Sequence, residues 1–386
     1  MSKWPTVTLG DVAAIDRASV QPNDIEAGTM YLGLEDIESW TGRLNPKPVD
    51  AGFLASSKFR FTRQHVLYGK LRPYLAKIAC PDVAGVCSTD ILPILPGPKI
   101  DRQYLFQFLR RPKVVAYAGA QAGGANLPRL SPNALAAFEL PLPPLADQRR
   151  IATILQATDS LRAKRRATLA LLDSLTSAVF LEMFGDPVTN PKRWSDGKLG
   201  SQLTFQQYGP RFFNEAYSDD GIRILRITDL NDAGVFDFES MPRMTLALED
   251  QEKYLLQTDD VVFARSGATV GKVGLIGPED PPCIAGAYFI VMRFSPSVLP
   301  IYVRAVLRSP SVRELVTQRS RQAAQQNFSG PGLRALPLPV PPIGLQKDYA
   351  ALINTAAGMG RTLRVSLSEL DALFASLQHQ AFNGEL

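Results

Sequence analysis

The chain contains itself twice. Leu140-Pro141-Leu142-Pro143-Pro144-Leu145-Ala146-Asp147-Gln148 returns as Leu338-Pro339-Val340-Pro341-Pro342-Ile343-Gly344-Leu345-Gln346, 198 positions further on. That spacing is too long for a solenoid unit and about the size of one domain. Trp4 with Leu9-Gly10 falls on Trp194 with Leu199-Gly200, residues 32–37 on 225–230, and 66–70 on 261–265. Lys77 falls on Lys272, and Tyr104, Arg110 and Pro112 fall on Tyr302, Arg308 and Pro310. The offset grows in small steps from 190 to 198 and never falls, as a duplication with a few loop insertions produces. A chain with two copies of one device engages two things, or one thing at two places.

Two kinds of segment alternate. Residues 1–143 and 186–341 are mixed and strand-rich, with short apolar runs between Gly, Pro, Asn and Asp clusters. Residues 101–118 have helical periodicity, interrupted at Pro112. After each proline hinge the period becomes that of a heptad. Ile151, Ile154, Thr158, Leu161, Arg165, Thr168, Leu172, Leu175 and Val179 step by three and four. Tyr349, Leu352, Ala356, Met359, Leu363, Ser366, Leu370, Leu373 and Leu377 repeat the phase. The spacing predicts two helices of about 37 residues, about 55 Å long. Leu155 adds to the apolar face of the first. Gly185-Asp186-Pro187 and Asn383-Gly384 end them. Such stripes are buried most simply against each other. The expected fold class is therefore mixed α/β (α+β): two globular domains, 1–143 and 186–341, separated by a pair of long antiparallel coiled-coil helices, 144–185 and 342–386, in a pseudo-two-fold internal repeat.

Composition bounds the function. A net charge of +5 permits a nucleic-acid partner without demanding one. Three cysteines make no disulfide framework and no apolar run stands out as a membrane span, so a cytoplasmic protein with no membrane partner is expected. The two histidines, His65 and His379, are not equivalent in the repeat, which argues against a His-based triad or metal site. Cys80, Cys87 and Cys283 lack zinc spacing and read as buried small hydrophobes. Residues 266–273 approach a phosphate-binding loop but carry Ser266 and Val273 where Gly and a hydroxyl belong. Asp280-Pro281-Pro282-Cys283 approaches an amino-methyltransferase motif but lacks its aromatic. No carboxylate pair recurs in both copies. We expect no catalytic residues, no metal and no cofactor in this chain.

What recurs is a basic loop after a strand. The loop 68–77, with Lys70, Arg72, Tyr74 and Lys77, aligns with 263–272, with Arg265, Ser266, Thr269 and Lys272; Lys70 falls on Arg265 and Lys77 on Lys272, and the residues between are unlike. Cations at fixed places suit phosphates; divergent neighbours suit two different base readouts. Arg129 precedes the first hinge, and Gln325, Gln326 and Asn327 precede the second, where Gln and Asn match adenine. Arg211, beside Phe212 and Phe213, is a further DNA-binding candidate.

The doubled hinge, the heptad helix after each, the Phe184-Gly185-Asp186-Pro187 exit, the Trp194…Leu199-Gly200 restart and residues 264–272 together resemble the specificity subunit of type I restriction-modification systems. Tyr68-Gly69-Lys70-Leu71-Arg72-Pro73-Tyr74 with Cys87-Ser88-Thr89-Asp90 is similar to one of that family's target-recognition domain types. The second copy departs from it at Ile284-Ala285-Gly286-Ala287. The resemblance implies two target-recognition domains, each reading one half of a bipartite double-stranded DNA site, and helices that act as a ruler. It implies two methyltransferase subunits docked on the helices (Ile151, Leu155, Leu161, Leu172, Leu175, Leu352, Leu363, Leu370 and Leu373), holding S-adenosylmethionine. Two motor-nuclease subunits using ATP and Mg are optional further partners. The competing readings are a stand-alone duplicated DNA-modifying enzyme and a coiled-coil scaffold with no DNA role.

Overall fold

The computed structural model describes residues 4–50, 52–124, 126–211, 216–321 and 327–386. The chain divides into two units, one of residues 1–166 and 365–386 and one of residues 167–364. Each unit therefore holds a globular part and a stretch of both long helices, Leu145–Phe184 and Ile343–Asn383.

In the first unit an antiparallel sheet runs in the order Ala13–Ile15, Ile91–Pro96, Val66–Gly69, Ile78–Ala79. A second, mixed sheet of five short strands has Met30–Leu32 parallel to Gly85–Cys87. The second unit repeats the plan. Its first sheet runs Leu203–Tyr208, Phe289–Phe294, Val261–Ala264, Val273–Leu275. Its second holds three strands among the described residues, with Ile222–Leu225 parallel to Cys283–Ala285. Val66–Gly69 and Val261–Ala264 are buried at every position, so they read in sequence as unbroken apolar runs instead of alternating ones. Asp36 and Asp229, both buried, accept the Gly33 and Arg226 amides at 2.8 and 2.9 Å and fix equivalent turns.

The helical stretch after these strands breaks at its proline, as the sequence predicts. Arg102–Leu109 starts on Asp101, whose carboxylate accepts the Gln103 and Tyr104 amides at 2.9 and 3.0 Å. Pro112 opens Pro112–Ala120, because a helix-interior proline has no N–H to give and the residue before it is pushed to extended backbone. Pro300–Arg308 and Pro310–Arg321 are the counterparts.

Each hinge is clamped by the same two side chains. Gln148 Oε1 accepts the Asp101 amide at 2.7 Å, while Nε2 donates to the Lys99 and Pro143 carbonyls at 3.0 and 2.8 Å. Gln346 makes the same three bonds, from Leu299 N and to Ser297 O and Pro341 O, at 2.8, 3.0 and 2.9 Å. Tyr104 Oη donates to Pro141 O and Tyr302 Oη to Pro339 O, both at 2.7 Å. Both glutamines are fully buried, so these bonds satisfy groups that water cannot reach. Gly185 and Gly384 end the long helices in left-handed backbone, φ 77° and 81°.

The helices run antiparallel within each unit. In the first, Arg150 donates to Leu386 O at 2.5 Å, and Arg162 reaches Asp371 at 2.5 Å. In the second, a Cβ on Gly360 would meet Leu172 at 3.5 Å, and Phe180 and Phe184 stack on Tyr349. The seam differs from the predicted one at every second position. Ile151, Thr158, Arg165, Leu172 and Val179 face inward, but the positions between them are Leu155, Arg162, Leu169 and Thr176 in place of Ile154, Leu161, Thr168 and Leu175. The second helix shifts likewise: Leu363 and Leu370 lie inward, whereas Leu352, Met359 and Leu373 are left outside. Leu161, Leu175, Leu352, Met359 and Leu373 are 49–58% exposed, which leaves them free to meet something else.

The physical reason is an ionic layer in the first unit. Arg162 Nη1 lies 2.7 Å from Asp159, its guanidinium sits 4.3 Å over the Phe374 ring, and Asp159 also takes Arg110 at 2.7 Å. An arginine so paired outcompetes Leu161 for the inward position. In the second unit Gly360 stands where the repeat places Arg162. Counted by length and composition alone, Leu145–Phe184 is apolar enough to cross a membrane, with a mean hydropathy of 1.4 in one window, where the sequence reading expected no such segment. The same helix carries Arg149, Arg150, Arg162, Lys164, Arg165 and Arg166.

Two consequences are measurable by unfolding. Gln148→Ala and Gln346→Ala should each cost about 2–3 kcal/mol in urea unfolding of their own unit, because each strands a buried amide and two carbonyls. The segment 365–386 belongs to the first core, where Ala381 and Phe382 are buried and Phe382 packs on Tyr104 and Phe108. Deleting it should strip amide-exchange protection from residues 1–166 and spare the strands of 203–294.

Candidate nucleic-acid interface

The same backbone corner is built in both units. In the first, Gly69 N donates to Lys77 O at 2.8 Å, Lys70 N to Asp90 O at 2.9 Å, and Leu130 N to Lys70 O at 2.9 Å. In the second, Ala264 N donates to Lys272 O at 2.9 Å, Arg265 N to Tyr288 O at 2.9 Å, and Phe328 N to Arg265 O at 2.7 Å. Each corner joins the loop after a buried strand to the segment just before a hinge, through the Leu71–Arg129 and Ser266–Asn327 bridges. The loop thus hangs from an invariant frame and is free to differ in its side chains.

The side chains do differ. In the first unit Asp90 lies between two cations, 3.1 Å from Arg129 Nε and 3.9 Å from Lys70 Nζ. The bond to Asp90 holds the Arg129 guanidinium above its ordinary pKa. Arg72 and Ala76 both adopt left-handed backbone, φ 51° and 48°, on either side of the short turn Pro73–Leu75. Two such non-glycine residues cost on the order of 1 kcal/mol each. They leave Arg72 exposed and Tyr74 half-exposed at the loop tip.

In the second unit Asn327 Oδ1 accepts from Arg265 Nε at 3.0 Å and from Ser266 Oγ at 3.2 Å. The Arg265 guanidinium lies 4.5 Å over the Tyr208 ring, and Tyr208 Oη accepts the Gly330 amide at 2.8 Å. Thr269 Oγ1 donates to Ser266 O at 3.0 Å and closes the turn Gly267–Thr269. Of the residues singled out from sequence, Arg265, Ser266, Thr269 and Asn327 thus come together, as do Lys70 and Arg129. Arg211 is exposed. Gln325, Gln326, Phe212 and Phe213 lie outside the described residues.

The recurring cations Lys77 and Lys272 turn inward. Lys77 Nζ donates to Leu34 O at 2.6 Å; Lys272 Nζ donates to Leu230 O at 3.1 Å and lies 3.5 Å from Asp232. Each ties its loop to the second sheet of its own unit. Sequence reasoning passed over Tyr208 and Tyr288, and met Asp90 only as the last residue of the Cys87-Ser88-Thr89-Asp90 motif. Asp90 and Tyr288 lie 198 positions apart on the repeat's own diagonal, so that signal was available. Tyr208 carried none. Among the described residues no three His, Cys, Asp or Glu side chains gather as metal ligands. Burial pushes the Cys80 thiol up to about 11 and the Cys87 and Cys283 thiols up to about 12, so all three stay protonated at neutral pH.

A frame repeated twice with unlike loop chemistry defines a class, a chain of two equivalent domains that differ in their loops. Residues 1–171 match the family described as the Type I restriction modification DNA specificity domain. The chain is 28% identical over 193 residues to the type I restriction enzyme EcoDI specificity subunit of Escherichia coli, covering 49% of this chain and 43% of that one. It is 25% identical over 324 residues to the EcoBI specificity subunit of Escherichia coli, covering 75% and 66%. The chain thus spans about half to two thirds of the length of these relatives. Its fold is that of the type I restriction-modification S subunit from M. genitalium, with a TM-score of 0.62 at 12% identity over 99% of this chain and 96% of that one. A second structure, from work on assembly of the type I R-M system, gives a TM-score of 0.55 at 20% identity over 99% and 98%.

Proposed function

We propose that this chain is the DNA-specificity subunit of a type I restriction-modification complex, reading a bipartite duplex site with one half-site per domain. The observation that carries the reading is the duplicated corner: one set of backbone bonds, two sets of side chains. A device reading one sequence twice would repeat its side chains as well. Phosphate contacts position such a domain and base-edge contacts specify the sequence. Exposed Arg72 and Tyr74 in one copy, and Arg265 and Asn327 in the other, belong to types that do both. The test is selection of randomised duplex DNA by the chain with its methyltransferase partner. Two short, unlike motifs at a fixed separation are expected; a single motif or no enrichment would refute the bipartite reading.

The long helices act as the ruler between half-sites. Removing one heptad from 151–182 together with one from 349–380 shortens the pair by about 10 Å, or about three base pairs of unread spacer. The expected result is a shortened spacer with unchanged letters in both half-sites; changed letters would sink the ruler.

The exposed stripe beside the seam is the docking surface for two methyltransferase subunits, which bring S-adenosylmethionine and the chemistry on adenine. Motor-nuclease subunits with ATP and Mg join that assembly. What supports a stoichiometry of two is that the stripe occurs once per unit at repeat-equivalent places. Leu161 and Leu373 lie in the first unit, Met359 and Leu175 in the second. Aliphatic groups left half-exposed on a helix pair favour burial by a partner. Leu161→Glu with Leu373→Glu should leave a complex with one methyltransferase subunit by light scattering, and Leu175→Glu with Met359→Glu added should leave none. Retention of two subunits in the quadruple variant would place docking elsewhere.

A further inference from the structure

We propose that Arg265 reads a guanine in the half-site of the second domain, and that Asn327 and Tyr208 are positioning residues that hold its guanidinium in reading posture. The inference rests on the DNA-specificity reading above and deepens it to one base and one side chain.

The argument starts from the five N–H donors of a guanidinium. Nε–H is taken by Asn327 Oδ1 at 3.0 Å. That bond occupies Nε–H and leaves the two Nη groups as a fork. Among the described residues no hydrogen bond to Arg265 Nη1 or Nη2 occurs. The plane is fixed separately, by the Tyr208 face 4.5 Å away. Both supports are themselves anchored: Tyr208 Oη takes the Gly330 amide at 2.8 Å, and the Phe328 amide beside Asn327 bonds Arg265 O at 2.7 Å. A side chain with many rotamers is thereby held in one.

Such posture distinguishes base reading from phosphate anchoring. A phosphate accepts a cation from many directions, and a lysine at the same place would serve. The O6 and N7 acceptors of guanine lie in one plane and take two parallel N–H donors; a lysine ammonium can reach both, but an oriented fork matches their plane and is held in one posture. The first unit provides the contrast. Lys70 occupies the place of Arg265 and has no fork, and Arg129 already spends Nε and Nη2 on Asp90 at 3.1 and 3.5 Å. Its corner shares one carboxylate between two cations and offers no free guanidinium fork at this place, so guanine recognition by a held fork belongs to the second half-site alone.

The test uses the full chain with its methyltransferase partner and randomised duplex DNA. Wild type should select a guanine at one position of one half-site. Arg265→Ala and Arg265→Lys should both lower that preference by about 10-fold or more, with the other half-site unchanged. On a fixed duplex, 7-deazaguanine at that position should weaken wild type about tenfold and leave Arg265→Ala no worse than it already is. Tyr208→Phe, which keeps the ring face, should retain the preference; Tyr208→Leu and Asn327→Ala should reduce it. An Arg265→Lys chain with wild-type preference would show that the held fork is not required and overturn the inference. So would an equal deazaguanine penalty in wild type and Arg265→Ala. If wild type selects two motifs but no guanine responds to residue 265, this inference alone fails. If it selects no two-part motif, the DNA-specificity reading fails with it.

Discussion

The buried glutamine at the root of each long helix is the contact on which the rest depends. A long helix is only as well oriented as its attachment, and the attachment here is a proline run, which fixes φ but supplies few N–H donors. Gln148 and Gln346 complete what the prolines leave open. One amide end takes a backbone N–H from the strand-to-helix junction, and the other gives its two protons to that junction and to the hinge. The side chain therefore holds the globular part and the first helical turn in one bonded group. A tilt of about 10° at the root of a 40-residue helix moves its far end by about 10 Å. Three bonds inside a fully buried site, where water offers no substitute, are a proportionate restraint.

The fold separates what must be the same from what must differ. Residues equivalent in both copies build the frame: the glutamine clamps, Tyr104 and Tyr302 on the hinge carbonyls, Asp36 and Asp229 in their turns, and Lys77 and Lys272 on the Leu34 and Leu230 carbonyls. Residues that diverge sit at the corner: Lys70 against Arg265, Asp90 against Tyr288, and Arg129 against Asn327. Recurrence in a duplicated chain is a signature of shared architecture, and the corner side chains are where recurrence stops. Lys77 and Lys272 recur as well, and each ammonium gives a proton to the protein's own backbone.

Much of the architecture was legible because its signals are local. The duplication, the hinges, the break at Pro112 and the glycines closing both long helices follow from proline and glycine backbone rules that hold wherever those residues stand. The heptad was legible in half its positions. Between Ile151 and Val179 the alternates Leu161 and Leu175 are more apolar than Arg162 and Thr176, so counting apolar residues favours them. What decides the register is the link from Arg162 to Asp371 in the other long helix and from Asp159 to Arg110 in the globular part. Those partners are distant in sequence and invisible to a periodicity. The corner was half legible for the same reason. Arg265 and Asn327 were both conspicuous, but their direct bond, 62 residues apart in sequence, and the ring of Tyr208 beneath them are products of folding.

The exposed leucines follow from the same competition. A seam made only of aliphatic residues would have drawn Leu161, Leu175, Leu352 and Leu373 inward and left a polar exterior with nothing to offer a partner. Placing Arg162 inward costs desolvation, which its two carboxylate partners and the Phe374 ring offset. It displaces the neighbouring leucine to the flank of the helix pair. The ionic layer thus does two things with one substitution in phase: it fixes the register of the two helices, since Arg162 meets both Asp159 and Asp371 in one alignment only, and it turns the surplus aliphatic stripe outward. In the second unit, where Gly360 replaces the arginine, close approach of the backbones at Leu172 reaches the same register by packing, and Leu175 and Met359 are displaced outward all the same. Two different solutions inside the seam leave the same kind of aliphatic surface outside it in each unit.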